Sequence, residues 1–243
     1  MGKKGLLNHK SIAIFDIDGT IFRSSLTIEL FKHLVAKNIF EAGFMRKVRA
    51  SEAKWLDRQG HYEDYVNDVA EAYQKALVGK RKKDIVAASR KVVAEQKFRT
   101  YRFTKHLLES IRGKYFTIGI SGSPLEIVNE YNKFLKFNKL YGWEFGLDEK
   151  ARYTGAVLHV PPKYKRELIV RYVQNHHLSF KGSIGVGDTE SDIGFLDLVQ
   201  NPVAFNPNSG LAKTARKKNW SVVVERKDLI IECKLNRVKV LKA

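Results

Sequence analysis

Ser11-Ile12-Ala13-Ile14-Phe15-Asp16-Ile17-Asp18-Gly19-Thr20 is the stretch on which the reading of this chain turns. Ile12 to Phe15 is a short β-branched and aromatic run of the kind that forms a buried strand. Side chains two apart on a strand share a side, so Asp16 and Asp18 project together from its C-terminal end. Gly19 then lets the chain turn sharply without a Cβ clash. Two carboxylates this close repel one another unless a cation or a shared proton compensates. The pair therefore predicts a divalent metal, or one carboxyl kept protonated as an acid. The competing reading is a solvated turn with no chemistry.

Outward from this strand the pattern changes to helix. Between Thr27 and Arg112 there is no proline, and apolar residues recur three and four apart, as in Leu30, Phe31, Leu34 and Val35. Gly43, Gly60 and Gly79 divide this region into about four or five helices. Its aromatics (Phe40, Phe44, Trp55, Tyr62, Tyr65 and Tyr73) read as the core of a small domain. The strand pattern returns at Tyr115 to Ile120 and ends in Ser121-Gly122-Ser123-Pro124, with Ser123 expected as helix N-cap and Pro124 as the first helical residue. Short strands are expected over 145–147 and 153–160, and an amphipathic helix over 164–177. Strand Ser183 to Val186 leads into the loop Gly187-Asp188-Thr189-Glu190-Ser191-Asp192 and a helix through Leu198. Val203 to Phe205, a helix over 211–219 and Ser221 to Val224 complete the alternation. Such alternation gives an α/β fold, a doubly wound parallel sheet covered on both faces. One inserted α-helical cap domain, 24–112, interrupts a core made of 1–23 and 113–243. Ligands bind at the carboxyl ends of strands in such sheets, and Asp16/Asp18, Ser121 and Asp188/Asp192 all fall there.

Composition narrows the functional classes. The chain has 243 residues, 44% of them hydrophobic, with one cysteine, Cys233. That excludes an internal disulfide and a cysteine-based zinc set, and fits a reducing, cytoplasmic setting. No apolar stretch approaches the roughly 20 residues needed to cross a bilayer. A signal peptide cleaved after the first apolar run would remove Asp16 and Asp18, so none is expected. The net charge of +18 attracts anionic ligands. The basic residues are nevertheless spread along the chain. Gly79 to Lys83 reads as a solvated connection, Arg46 to Arg49 and Arg216 to Lys218 as exposed helical faces. With no nucleic-acid fold motif beside them, specific nucleic-acid binding is not expected.

Four motifs in this order resemble the haloacid dehalogenase (HAD) superfamily: Asp-x-Asp-Gly-Thr at Asp16 to Thr20, the strand-end Ser121, the helix-borne Lys165, and Gly-Asp-x-x-x-Asp at Gly187 to Asp192. The 105 residues from Asp16 to Ser121 make room for a helical cap, as in the phosphoserine-phosphatase-like branch, subfamily IB. The resemblance implies that Asp16 is the nucleophile toward phosphorus and that Asp18 is the general acid and base. It also implies phosphate binding by Ser121, the Gly122 amide and Lys165, with Lys163 as the competitor for Lys165. Mg²⁺ would be held by Asp16, the Asp18 carbonyl and Asp188, with Asp192 behind them. The implied activity is Mg²⁺-dependent hydrolysis of a small phosphorylated metabolite through an aspartyl-phosphate, by a monomer or homodimer.

The substrate stays open at this stage. Phosphoserine phosphatases of this branch carry an acidic residue nine positions after the nucleophile, where this chain has Ser25. Glu29 is a possible substitute, set against a solvated role near a helix start. Arg23 either faces the leaving group or packs the hinge of the cap, and Arg46 and Arg49 are candidate anion clamps. Histidinol phosphate, a sugar phosphate and transfer to an alcohol acceptor are alternatives within the same chemistry. A basic nucleic-acid-binding protein with a vestigial site is the alternative from another class. The seven histidines form no recognisable ligand set.

Overall fold

The computed structural model describes residues 10–159, 164–234 and 237–241. Its strands are β1 (Ser11–Asp16), β2 (Phe116–Pro124), β3 (Lys139–Leu147), β4 (Tyr153–His159), β5 (Ser179–Gly187), β6 (Asn201–Phe205), β7 (Ser221–Arg226), β8 (Leu229–Lys234) and β9 (Arg237–Leu241). Its helices are α1 (Leu26–Ala36), α2 (Met45–Leu56), α3 (Tyr62–Leu77), α4 (Lys82–Gln96), α5 (Arg102–Ile111), α6 (Leu125–Leu135), α7 (Lys165–Asn175), α8 (Ile193–Leu196) and α9 (Ser209–Lys218).

The strands form one sheet in the order β4-β3-β2-β1-β5-β6-β7-β8-β9. β1 sits inside it, parallel to β2 on one side and β5 on the other. Its alternation explains both layers. Ala13 and Phe15 face a core shared with α5, α6 and the helical insertion. Ile12 and Ile14 face the opposite core, where Ile169 of α7, Phe195 of α8 and Leu211 of α9 cover them. A strand buried on both faces has to be apolar throughout, and Ile12 to Phe15 are all inaccessible.

Helices α1 to α5 lie between β1 and β2, as the proline-free, helix-periodic segment predicts. The chain enters and leaves this insertion side by side. Phe22 bridges Thr100, the Arg23 N–H donates to the Arg99 carbonyl, and the Tyr101 N–H to the Ile21 carbonyl. Helix α5 is tied to the sheet side of that crossing. The Thr104 hydroxyl donates to the Thr20 carbonyl, and the N–H groups of Arg102 and Phe103 donate to the Glu225 carboxylate on β7. No helix among the described residues is long and apolar enough to cross a membrane.

Several details differ from the sequence reading. Pro124 occupies the N-cap position of α6, and the Ser123 hydroxyl is turned to other use, because β2 continues through both residues. The helix expected through Leu198 is a 3₁₀ turn over Glu190–Asp192 followed by the four-residue α8. The basic link after α3 is not free in solvent. The Gly79 N–H donates to the Tyr153 carbonyl and the Lys82 N–H to the Ala151 carbonyl, so the link lies along the β3–β4 hairpin. β8 and β9 extend the sheet antiparallel beyond β7, through a turn with Lys227 in the left-handed region (φ 56°). Lys163 and His9 lie outside the described residues.

Candidate active site

Four segments remote in sequence meet at the carboxyl ends of β1, β2 and β5. Asp16 is the last residue of β1, 5% exposed, and its Oδ1 accepts a hydrogen bond of 2.7 Å from Lys165 Nζ. Lys165 opens α7 and is itself buried, and the same ammonium donates to Asp192 Oδ1. The other oxygen of Asp192 accepts from the backbone N–H groups of Asp188, at 2.9 Å, and Thr189, at 3.1 Å. Asp192 also closes a reciprocal capping box with Thr189. Both of its oxygens are therefore committed to holding Lys165 and the Asp188 loop.

Asp188 stands beside the turn after β1. Thr20 Oγ1 donates to its Oδ1 at 3.1 Å. A Cβ built on Gly19 would lie 2.2 Å from Asp188 Oδ2, and Gly19 has φ +79°, so both space and backbone demand glycine there.

Asp18 points to the β2 side. Its carboxylate accepts from the Leu26 N–H at 2.6 Å, from the Ser123 hydroxyl at 2.9 and 3.0 Å, and from the Ser121 hydroxyl in a short contact. Ser123 can donate there because its oxygen receives the Thr27 N–H and the Thr27 hydroxyl, at 3.0 and 2.8 Å. The N-terminus of α1 is thus aimed at Asp18, where its free N–H groups favour an anion. Sequence reasoning missed Ser123 and Thr27. The signal was present for Ser123, which shares a side of β2 with Ser121.

Electrostatics follow from burial. Desolvation pushes the carboxyls of Asp16 and Asp188 well above the ordinary carboxylate range. Lys165 opposes the rise at Asp16, while neighbouring carboxylates add to it at both. Asp18 is also raised by burial, against the hydrogen bonds from Ser121, Leu26 and Ser123. Burial disfavours the Lys165 cation, but Asp16 and Asp192 outweigh that and hold it firmly protonated. One ammonium among four carboxyls, Asp16 and Asp192 buried and Asp18 and Asp188 half-buried, leaves a surplus of negative charge on ionisation that a cation would relieve.

The residues present fit such a cation. Asp16, Asp188 and Asp192 offer oxygen atoms within 4.8 Å of one another. An all-oxygen set suits Mg²⁺. With Asp192 spent on Lys165 and on two backbone N–H groups, Asp16 and Asp188 are the carboxylates with an oxygen to give.

A cavity of about 490 Å³ opens in front of this cluster, with Asp16, Asp18, Gly122, Lys165 and Asp188 in its floor. Ser25 lines it at the N-cap position of α1 and makes no side-chain capping bond. Tyr62 packs against the helical core beside Trp55 and Tyr65, as its stripe suggests, and, half-buried, also lines this cavity. A second cavity of about 380 Å³ adjoins, sharing Tyr62 and Asp188 and holding Arg23 and Glu29. Glu29 is engaged there by Ser24, Gln96 and Arg99, and Arg23 lies over the Tyr101 ring. Arg46 and Arg49 are exposed on α2 and line neither cavity. His176 is the C-cap of α7, with its ring stacked on Tyr172 and Nδ1 2.9 Å from the Tyr172 carbonyl.

Known proteins resemble this chain in sequence and in fold. The chain is 25% identical over 236 residues to a histidinol-phosphatase from Neisseria meningitidis serogroup C (strain 8013), covering 88% of this chain and 98% of the relative. It is 25% identical over 223 residues to phosphoserine phosphatase SerB1 from Mycobacterium tuberculosis (strain ATCC 25618 / H37Rv), covering 86% and 69%. A phospho-aspartyl intermediate analogue of phosphoserine phosphatase has the same fold, with a TM-score of 0.59 at 16% identity over 90% of this chain and 95% of that one. The family model for haloacid dehalogenase-like hydrolases matches residues 13–197, which span β1, the helical insertion and the Asp188–Asp192 loop, and the chain belongs to that family.

Proposed function

We propose that the protein is a Mg²⁺-dependent phosphomonoesterase acting on a small metabolite through a phosphorylated Asp16. The observation that carries this is Asp16 at a strand end, held by a buried lysine, with an open cavity before it and Asp18 two residues away. We take α1 to α4 as a cap over the site, within the expected segment 24–112, and α5 as part of the core that anchors it. A single cysteine and the lack of a spanning helix among the described residues support a cytoplasmic setting.

The residues divide the reaction as follows. Asp16 attacks phosphorus, and the bond to the substrate's alcohol oxygen breaks as the aspartyl–phosphate bond forms. Asp18, whose carboxyl burial keeps protonated to higher pH, gives its proton to the departing alkoxide. It then takes a proton from the water that hydrolyses the acyl phosphate. Lys165, the Ser121 hydroxyl and the Gly122 N–H receive phosphate oxygens, Ser121 exchanging Asp18 for phosphate when substrate enters. Mg²⁺, when bound by Asp16 and Asp188, supplies the charge that lets an anionic nucleophile approach a phosphate dianion.

The test is hydrolysis of an aryl phosphate with and without Mg²⁺, in wild type and Asp16→Asn. Turnover that needs the metal and vanishes in Asp16→Asn is expected. Metal-independent turnover, or full activity in Asp16→Asn, would refute the mechanism. Phosphoserine and histidinol phosphate, for which the relatives are named, are the first metabolites to assay.

A further inference from the structure

Beyond the carboxylate cluster, the wall of the larger cavity is made by α3 and β3. Tyr62, Val66 and Ala70 lie four apart on α3 and share one face; Trp143 comes from β3. Together they offer rings and methyl groups. The Trp143 indole N–H is buried and meets no acceptor among the described residues.

The charges around the same cavity are one-sided. Asp16, Asp18, Asp188, Glu63 and Glu190 line it, and Lys165 is the single base among the described residues there. That ammonium is already shared between Asp16 and Asp192. A bound divalent cation and a phosphate dianion cancel, so the surplus stays negative. A carboxylate on the leaving group needs a guanidinium or an unshared ammonium, and the described lining provides neither. Ser25 puts a neutral hydroxyl at the mouth of α1. In the adjoining cavity, Lys32 and Arg99 are paired with Glu52 and Glu29, and Arg23 is exposed over the Tyr101 ring rather than lining the larger cavity.

We infer that the alcohol portion of the substrate carries a positive charge on a flat apolar body and no carboxylate: a phosphate monoester of a cationic, ring-bearing amino alcohol. The ring packs against Trp143 and the Tyr62–Val66–Ala70 face, and the cation lies toward Glu63, whose Oε1 accepts from Asn208 Nδ2 and whose charge repels a carboxylate. This rests on the phosphomonoesterase reading and narrows its substrate.

Three probes separate the terms, each measured as kcat/KM with Mg²⁺ beside an aryl phosphate reference. Phosphoserine and phosphoethanolamine differ only in the carboxylate, and histidinol phosphate adds a ring without one. Phosphoethanolamine should exceed phosphoserine by about tenfold or more. Histidinol phosphate should exceed phosphoethanolamine by a further factor of about ten. Glu63→Gln should narrow the first ratio and Trp143→Ala the second. Turnover of the aryl phosphate together with equal or better use of phosphoserine overturns the inference and leaves the phosphatase reading standing. Loss of that phosphoserine activity in Arg23→Gln would then put the carboxylate on Arg23. Absence of turnover on the aryl phosphate and all three probes overturns both.

Discussion

Asp192 shows how a residue acts without reaching the substrate. Fully buried, it spends one oxygen on Lys165 and the other on two backbone N–H groups of the Asp188 loop. Asp192→Asn keeps an acceptor for the loop but removes the charge that anchors the lysine. Groups that orient metal ligands typically contribute 10- to 100-fold in metal affinity. The Mg²⁺ concentration for half-maximal activity should therefore rise by about that factor, with much of the rate returning at saturating metal. A variant with unchanged Mg²⁺ dependence would show Asp192 to be mere packing. Gly19→Ala acts by sterics instead. Its Cβ would fall 2.2 Å from Asp188 Oδ2 on a backbone at φ +79°. A stability loss of about 1–3 kcal/mol is expected in urea denaturation, with activity falling as Asp188 is displaced.

At the scale of elements, the helical insertion is held at its exit by a cap supplied from far along the chain. The first turn of α5 carries no acidic residue of its own, and Glu225 on β7 accepts two of its free N–H groups. Carboxylates near helix N-termini are favourable for both hydrogen bonding and the helix dipole. Glu225→Ala should cost about 1 kcal/mol, read as a lower urea midpoint at unchanged slope. Since α5 begins immediately after the Arg99–Tyr101 crossing, the same variant tests whether the crossing is anchored through α5. Equal stability to wild type would mean that the Thr104–Thr20 bond and apolar packing suffice. The N-terminus of α1 is used differently, its Leu26 N–H going to Asp18 across the site. One helix start thus serves stability, the other the chemistry.

For the whole molecule, the buried carboxylates link stability to pH and metal. Asp16, Asp18 and Asp188 hold protons to higher pH when folded than when unfolded, burial being the largest cause in each. In that window the native state binds more protons, so metal-free stability falls as pH rises above the ordinary carboxylate range. A cation bound to the ionised carboxylates reverses this and stabilises by mass action. Mg²⁺ should raise Tm at neutral pH, and the gain should shrink as pH is lowered toward the carboxylate range. Scanning calorimetry over pH with and without Mg²⁺ checks both signs. A metal effect independent of pH would mean that these carboxylates are not its ligands.

The alternation of strands and helices, the insertion after β1 and the residues at three strand ends can be read along the chain itself. Those features rest on local rules: period-two and period-3.6 patterning, glycine where φ is positive, and carboxylates too close to stand alone. Lys165 came from the resemblance to the haloacid dehalogenase superfamily, and which atoms it would meet was not legible. Long-range packing settles that Lys165 is shared by Asp16 and Asp192, that Ser123 serves Asp18 rather than α6, and that Tyr62 lines a cavity. The antiparallel β8–β9 extension and the Glu225 cap on α5 belong to the same class. Each joins residues far apart in the chain, or chooses between faces of one helix. Such choices depend on which neighbour fills the remaining space and which polar group would otherwise be buried unpaired, and periodicity along a single segment carries neither.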